Sequence, residues 1–159
     1  MALIWITGAT GAIGSALARR LVARGDAVVL TARSPDRLLA LARDLSGSAF
    51  VVAADVTQED SIHAAAAEIE QQFGTPTGLA HCVGSIFIRS LVATSTADLQ
   101  TVFEQNFFSA WRVLRAFVQS ARRAKLHASA VLVGTCCQEE LVSPIARCCG
   151  TGSTAAKQL

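Results

Sequence analysis

Three glycines near the start of the chain stand at a spacing that suits phosphate binding. Gly8, Gly11 and Gly14 follow the apolar run 2–7 and lead into apolar residues at helical spacing. In such a turn the first glycine permits the tight bend, the second lets a pyrophosphate approach the backbone, and the third lets the helix pack closely on the strand. The positive end of the helix then faces the phosphate. Glycines also punctuate turns that bind nothing, but the strand, turn and helix context predicts a pyrophosphate site formed by Gly8, Thr10, Gly11, Ile13 and Gly14.

The end of the second apolar run carries residues that would choose between two dinucleotides. Roughly twenty residues beyond the glycines, such a site has a carboxylate for a ribose 2′-hydroxyl or an arginine for a 2′-phosphate. Here the run 27–32 is followed by Arg33 and Ser34, with no acidic residue beside the arginine. A guanidinium can bind a phosphate through two hydrogen bonds, and the serine hydroxyl can donate another. A solvated arginine at the start of a loop is the alternative, but the sequence favours NADP over NAD.

Five short apolar runs alternate with helical patterns along the chain. Parallel strands need crossover connections and helices supply them, so the alternation predicts a parallel sheet with helices on both faces. The predicted fold class is α/β, a Rossmann-type doubly wound parallel sheet of about five strands, with residues 1–159 forming one domain. The predicted strands are 2–7, 27–32, 49–54, 78–83 and 129–133.

Capping residues and periodicity place the helices. Ser34 and Pro35 are typical of the N-cap and first position of the second helix, and Thr57 is expected to cap the third. The fourth helix, residues 97–125, has the clearest apolar stripe, which we expect to face the core. The stripe consists of Leu99, Val102, Phe103, Phe107, Ala110, Val113, Leu114 and Phe117. Asn106 lies on that stripe, where a buried amide needs hydrogen-bond partners.

Composition excludes several classes of function. The net charge is +2 and the basic residues are scattered, so the basic surface of a nucleic-acid-binding protein is missing. No run approaches the roughly 18 apolar residues of a membrane span, and no basic segment precedes the first apolar run as in a signal peptide. We therefore expect no nucleic acid and no membrane as partner, and a cytoplasmic location.

The five cysteines are expected to be reduced thiols. Cys136-Cys137 and Cys148-Cys149 are adjacent pairs without the C-x-x-C spacing of zinc or redox sites, and Cys82 stands alone. Four soft ligands in one loop could in principle hold zinc. Adjacent cysteines point apart in an extended chain, however, so we predict no metal site.

The segment Thr7–Gly14 resembles the nucleotide-binding opening of the short-chain dehydrogenase/reductase family. The resemblance implies hydride transfer between NADP(H) and a small-molecule carbonyl or alcohol substrate. It also implies that Asp55 and Val56, after the third strand, contact the adenine. The segment 81–84 reads His-Cys-Val-Gly where the family usually has Asn-Asn-Ala-Gly, so only the glycine matches. The resemblance implies a cofactor-binding backbone role for Cys82, Val83 and Gly84.

The same resemblance implies a catalytic set. At the position of Asn106 the family has an asparagine that holds a water in its proton relay. At the position of Thr135 it has a hydroxyl that orients the substrate. Lys157 matches the lysine that grips the nicotinamide ribose, but Ser153 stands where the family has its catalytic tyrosine, and the chain contains no tyrosine. A serine hydroxyl is far less acidic than a phenol, so water or another acid would have to take over proton transfer. The alternative function is an NADP(H)-binding module without catalytic activity.

The family's domain continues beyond the position that matches Lys157, whereas this sequence has two further residues. We therefore expect a partial domain, incomplete at its C-terminal side, whose fifth strand is an open edge. Apolar surface would then face water. This predicts a homo-oligomer formed through the long helix 97–125 and the exposed sheet edge.

Overall fold

A computed structural model describes residues 1–45 and 47–134 of the chain. Its five strands form one parallel sheet in the order β3-β2-β1-β4-β5, with β3 and β5 at the edges. This confirms the predicted fold class. The strands are β1 (Leu3–Thr7), β2 (Ala27–Thr31), β3 (Ala49–Val51), β4 (Gly78–His81) and β5 (Ser129–Leu132). Several residues singled out above lie outside the described part, namely Thr135, Ser153, Lys157, Cys136, Cys137, Cys148 and Cys149.

Helices connect the strands and cover both faces of the sheet. They are α1 (Ala12–Ala23), α2 (Pro35–Asp44), α3 (Glu59–Phe73), α4 (Thr96–Phe103) and α5 (Ser109–Arg123). A 3₁₀ turn at Leu91–Ala93 precedes α4, and a π-helical segment at Glu104–Phe108 joins α4 to α5. None of the helices in the described residues is long and apolar enough to cross a membrane.

Alternation along the strands divides the core into two halves. Ile6 of β1 points to the face covered by α1 and α2, where it clusters with Ala18 and Leu38. Trp5 points to the opposite face, where it clusters with residues of α3 and α5 such as Phe117. Because a central parallel strand is buried on both faces, the first two runs read as continuous apolar segments rather than alternating ones.

Two local predictions were wrong around the third strand. The strand ends at Val51 rather than at residue 54, although the amides of Val52 and Ala54 still donate to β2 and the residue after it. Helix α3 begins at Glu59 with Gln58 as its N-cap, so Thr57 does not cap it. The Thr57 hydroxyl instead donates to Asp55 Oδ1 at 2.8 Å, and its amide donates to the same oxygen at 3.0 Å. The aspartate thus makes a local turn that takes up the expected capping hydroxyl.

The prediction of one regular helix over 97–125 with a core-facing stripe holds in α5 but not in α4. Within the segment 97–125, α5 packs on the sheet through Val113 and Phe117 among others, whereas α4 has no buried residue. Phe103 and Phe107, which belong to the predicted stripe, are about half exposed, with 50% and 59% of their surface in solvent. The π-helical segment explains the change, because an extra residue per turn shifts the phase of the stripe between α4 and α5.

Candidate functional site

A cavity of about 500 Å³ opens at the carboxyl ends of β1, β2 and β4. The chain runs outward from β1 to β3 on one side and continues with β4 and β5 on the other, so the order reverses between β1 and β4. Open parallel sheets bind ligands at such a switch point. Ten of the predicted cofactor-binding residues line the cavity: Gly8, Thr10, Gly11, Arg33, Ser34, Asp55, Val56, Cys82, Val83 and Gly84.

The glycine turn is closed by contacts that leave no room for side chains at two positions. Gly8 has φ = 70°, and a Cβ there would lie 2.6 Å from the carbonyl oxygen of Cys82. A Cβ on Gly14 would lie 2.4 Å from the carbonyl oxygen of Gly8. The first and third glycines thus allow the bend and the close helix packing expected of them.

The first turn of α1 offers free backbone donors to an anion. Gly11 is the N-cap, and within the described residues no side chain caps this helix and no acidic residue stands in its first turn. The orphan amides of such a turn are a ready anion site. Ile13 and Gly14 belong to this turn but do not line the cavity, and 58% of Ile13 is exposed. Any contribution they make to cofactor binding would come through the backbone.

Arg33 and Ser34 stand together at the mouth of the cavity, after β2. Arg33 is exposed. The Ser34 oxygen accepts the amide of Arg37 at 3.5 Å as the N-cap of α2, as predicted. This bond uses the oxygen as an acceptor, so the hydroxyl hydrogen remains available to a ligand.

Arg37 lines the cavity, and this was not predicted from the sequence. Its Nη2 donates to the carbonyl oxygen of Thr10 at 3.1 Å, and its side chain lines the cavity. The available signal was its position four residues after Arg33 at the start of a helix.

Asp55 lines the cavity with an ionised carboxylate. The backbone amide of Thr57 holds the pKa of the Asp55 carboxyl below its usual range, and the Arg33 charge adds to this. The backbone amide of Asp55 is not free to donate to a ligand, because it donates to Ser61 Oγ at 3.0 Å. Val56 beside it is buried. The predicted adenine contact would thus combine the Asp55 carboxylate with the backbone at Val56.

The segment after β4 forms the wall next to the glycine turn. Cys82 is partly buried, and burial raises the pKa of its thiol. A neutral, poorly nucleophilic thiol at about pH 7 follows. Gly84 is closely approached, since a Cβ there would lie 3.2 Å from Asn106 Oδ1.

Asn106 ties this wall to the π-helical segment. Its Oδ1 accepts the amide of Ser85 at 2.8 Å, while its Nδ2 donates to Ser85 Oγ at 3.2 Å and to the carbonyl oxygen of Val102 at 2.9 Å. The neighbouring Gln105 lines the cavity, and this was not predicted from the sequence. The periodicity of a regular helix does not show which residue of a π-helical segment turns toward the cavity. The role of Asn106 in a proton relay stays a prediction. Of the four predicted catalytic residues, only Asn106 has a described position.

His81 and Thr7 join the ends of β4 and β1, each one residue before a residue that lines the cavity. The two residues are in register across the strands, and His81 Nδ1 lies 2.7 Å from Thr7 Oγ1. His81 is 1% exposed, and burial lowers the pKa of its imidazole to about 4. Its Nε2 has no hydrogen-bond partner among the described residues. The ring is therefore neutral at about pH 7 and joins the two strands from which the cavity walls depart.

The chain is similar to known oxidoreductases over most of its length. A family model described as "short chain dehydrogenase" matches residues 2–139. The chain is 33% identical over 118 residues to an NADPH-dependent pterin aldehyde reductase from Arabidopsis thaliana, a match that covers 72% of this chain and 49% of that protein. It is 31% identical over 135 residues to a sulfoacetaldehyde reductase from Chromohalobacter salexigens, covering 83% of this chain and 53% of that protein.

A solved structure gives the same result. An alcohol dehydrogenase from the archaeon Thermococcus sibiricus, complexed with 5-hydroxy-NADP, is 29% identical and has a TM-score of 0.78 over 85% of this chain and 58% of that one. The chain spans about half the length of the curated relatives it matches. Because the family match includes the glycine turn, the cavity walls and Asn106, the chain belongs to the short-chain dehydrogenase/reductase family.

Proposed function

We propose that the cavity binds NADP(H) in preference to NAD(H), for hydride transfer with a small-molecule carbonyl or alcohol. The observation that carries the preference is Arg33, which lines the cavity at the end of β2, where a site for NAD would present a carboxylate. Ser34 beside it keeps a hydroxyl hydrogen to donate. The Arabidopsis relative is named as NADPH-dependent and the Thermococcus structure holds an NADP derivative, which supports the same choice.

The residues fit the parts of this cofactor. The uncapped start of α1 and the glycine turn would receive the pyrophosphate. Arg33 and Ser34 would receive the 2′-phosphate, and Asp55 with Val56 would border the adenine. When bound, the cofactor supplies or accepts the hydride.

The catalytic end of the proposal rests on four residues. Asn106 holds Ser85 and the cavity wall in place through its three hydrogen bonds. We assign Thr135 to substrate orientation and Lys157 to the ribose. Ser153 cannot match the acidity of a phenol, so in this proposal water or another acid takes over proton transfer.

Calorimetric titration with NADPH and with NADH tests the proposal. We expect saturable binding that favours NADPH, and an Arg33→Ala variant that loses about tenfold in NADPH affinity while NADH binding changes little. Arg43→Ala is the matched control, because Arg43 lies on the last turn of α2 and is exposed. Equal loss for both nucleotides would refute the assignment of Arg33. Oxidation of NADPH with a panel of aldehydes and ketones then tests turnover, and binding without turnover would identify the non-catalytic alternative.

We also propose that a second copy of the chain covers the exposed face of α4 and α5. Apolar side chains recur there at intervals of four, and Leu99, Phe103, Phe107 and Trp111 are each about half exposed. The edge strand β5 adds partly exposed Val131 and Leu132. Exposed apolar and aromatic side chains at this spacing are typical of an interface.

Light scattering coupled to size-exclusion chromatography tests this face. We expect a dimer or larger species, and a Trp111→Glu variant that shifts to the mass of one chain. Arg122→Glu, on an exposed position of the same helix, is the control for an added acidic residue. A wild-type protein that runs as a single chain would contradict the proposal.

A further inference from the structure

We propose that Arg37 is a second residue that selects for the 2′-phosphate, held ready by the carbonyl group of Thr10. The proposal rests on the NADP(H) binding proposed above and adds a residue to that site. Arg33 was expected there from its place after β2, whereas Arg37 is brought there by the fold.

The Arg37 side chain lies at the glycine turn. Arg37 starts on the first turn of α2 and reaches back to the glycine turn, where its Nη2 donates to Thr10 across a sequence separation of 27 residues. Thr10 stands between Gly8 and Gly11, so the guanidinium is fixed at the border between the phosphate-binding turn and the end of β2. Only one of the five N–H donors of the guanidinium is used in this bond.

The charged side chains around the cavity favour an anion beside Arg37. Among the described residues, the charged ones that line the cavity are Arg33, Arg37 and Asp55, so two positive side chains face one carboxylate. Asp55 is already engaged through Oδ1 with the amide and hydroxyl of Thr57. Asp36, the acidic residue in the first turn of α2, is not among the residues that line the cavity. The remaining positive charge favours a dianionic group at this end.

The Arg37 guanidinium is already oriented before a ligand binds. A free arginine loses side-chain freedom when it binds a ligand, and this loss lowers affinity. Arg37 has already been oriented by its bond to Thr10, and its backbone amide faces the capping oxygen of Ser34. The start of α2 adds its own partial positive charge beside the two arginines. Arg37 is exposed, as Arg33 is, but its bond to Thr10 orients it, so it should contribute to phosphate binding at least as much as Arg33.

The test uses small probes that differ by the one phosphate in question. Wild-type protein, Arg37→Ala, Arg37→Lys, Arg33→Ala and the control Arg43→Ala are titrated with adenosine 2′,5′-bisphosphate and with 5′-AMP. We expect Arg37→Ala to lose about tenfold in affinity for the bisphosphate and less than about twofold for 5′-AMP. Arg37→Lys should recover only part of the loss, because an ammonium lacks the planar fork that can bond Thr10 and a phosphate together. Thermal unfolding of each variant, followed by circular dichroism, verifies that the comparison is made on folded protein.

The possible results separate this proposal from the one on which it rests. If wild-type protein prefers the bisphosphate and Arg33→Ala removes the preference but Arg37→Ala does not, Arg37 has no part in selection, and only the present proposal is refuted. If Arg37→Ala weakens both probes equally, Arg37 supports the glycine turn alone, and the proposal is again refuted. If wild-type protein binds both probes equally, the NADP(H) preference itself is refuted, and the role of Arg37 with it.

Discussion

Burial of His81 beside Thr7 should make the fold less stable in mild acid. His81 is buried next to a neutral hydroxyl, and burial lowers the pKa of its imidazole from 6.5 to about 4. The unfolded chain therefore binds a proton at this histidine more readily than the folded chain does. It follows that stability is greatest above the unfolded pKa and falls as the pH drops from 6.5 towards 4.

The size of the loss follows from the two pKa values. With 6.5 in the unfolded chain and about 4 in the folded chain, linkage gives a loss of about 2 kcal/mol between about pH 7 and pH 5, and about 3 kcal/mol once both states are protonated. The carboxyls with lowered pKa, Asp55 and Glu70 among them, lose their stabilising effect only at lower pH, because their ordinary values are 3.8 and 4.5. The interval from about pH 7 to pH 5 thus isolates the histidine.

Urea unfolding at a series of pH values measures this loss. The variant is His81→Asn, which places the amide that the family usually has at this position and removes the titrating group. We expect the free energy of unfolding of the wild-type protein to fall by about 2 kcal/mol more than that of the variant between about pH 7 and pH 5. His127→Asn, at an exposed position, is the control. Parallel curves for wild type and His81→Asn over this interval would refute the reasoning.

Two further substitutions test the walls of the cavity. Gly14→Ala should destabilise the fold by about 1–3 kcal/mol, since the added Cβ would lie 2.4 Å from the carbonyl oxygen of Gly8, although alanine has the higher helix propensity; a raised midpoint in thermal unfolding would contradict this contact. Asn106→Ala should cost about 1–3 kcal/mol, because the amide of Ser85 loses its acceptor. Urea unfolding measures this cost, with Gln100→Ala on exposed α4 as the control, and an equal effect of both changes would argue against a specific role for Asn106.

Local patterns predicted much of the fold because local forces decide those features. The two central strands are buried on both faces, so they appear as unbroken apolar runs, and the glycines between β1 and α1 are required by contacts within that unit. The cap of α2 by Ser34 and Pro35 depends on neighbouring residues alone. These features could be placed from the sequence within a few residues.

The predictions that failed concern features that depend on a choice between two local partners or on contacts with residues distant in the sequence. Thr57 could cap α3 or bond Asp55, and the aspartate two residues before it has the better geometry. The apolar spacing of 97–125 indicated a helix, but periodicity does not reveal a π-helical turn, nor which apolar residues lack a covering element.

The sequence by itself determined the succession of strands and helices along the chain, the glycine turn and the place of Arg33 after β2, because each depends on residue types within one βα unit. The tertiary structure alone decided that Arg37 meets Thr10 and that His81 meets Thr7, at separations of 27 and 74 residues. Such contacts depend on the register of parallel strands and on the direction in which each helix returns to the sheet. Both are set by packing across the whole sheet, and this is why the cavity's second arginine and its buried histidine pair became visible only in the folded chain.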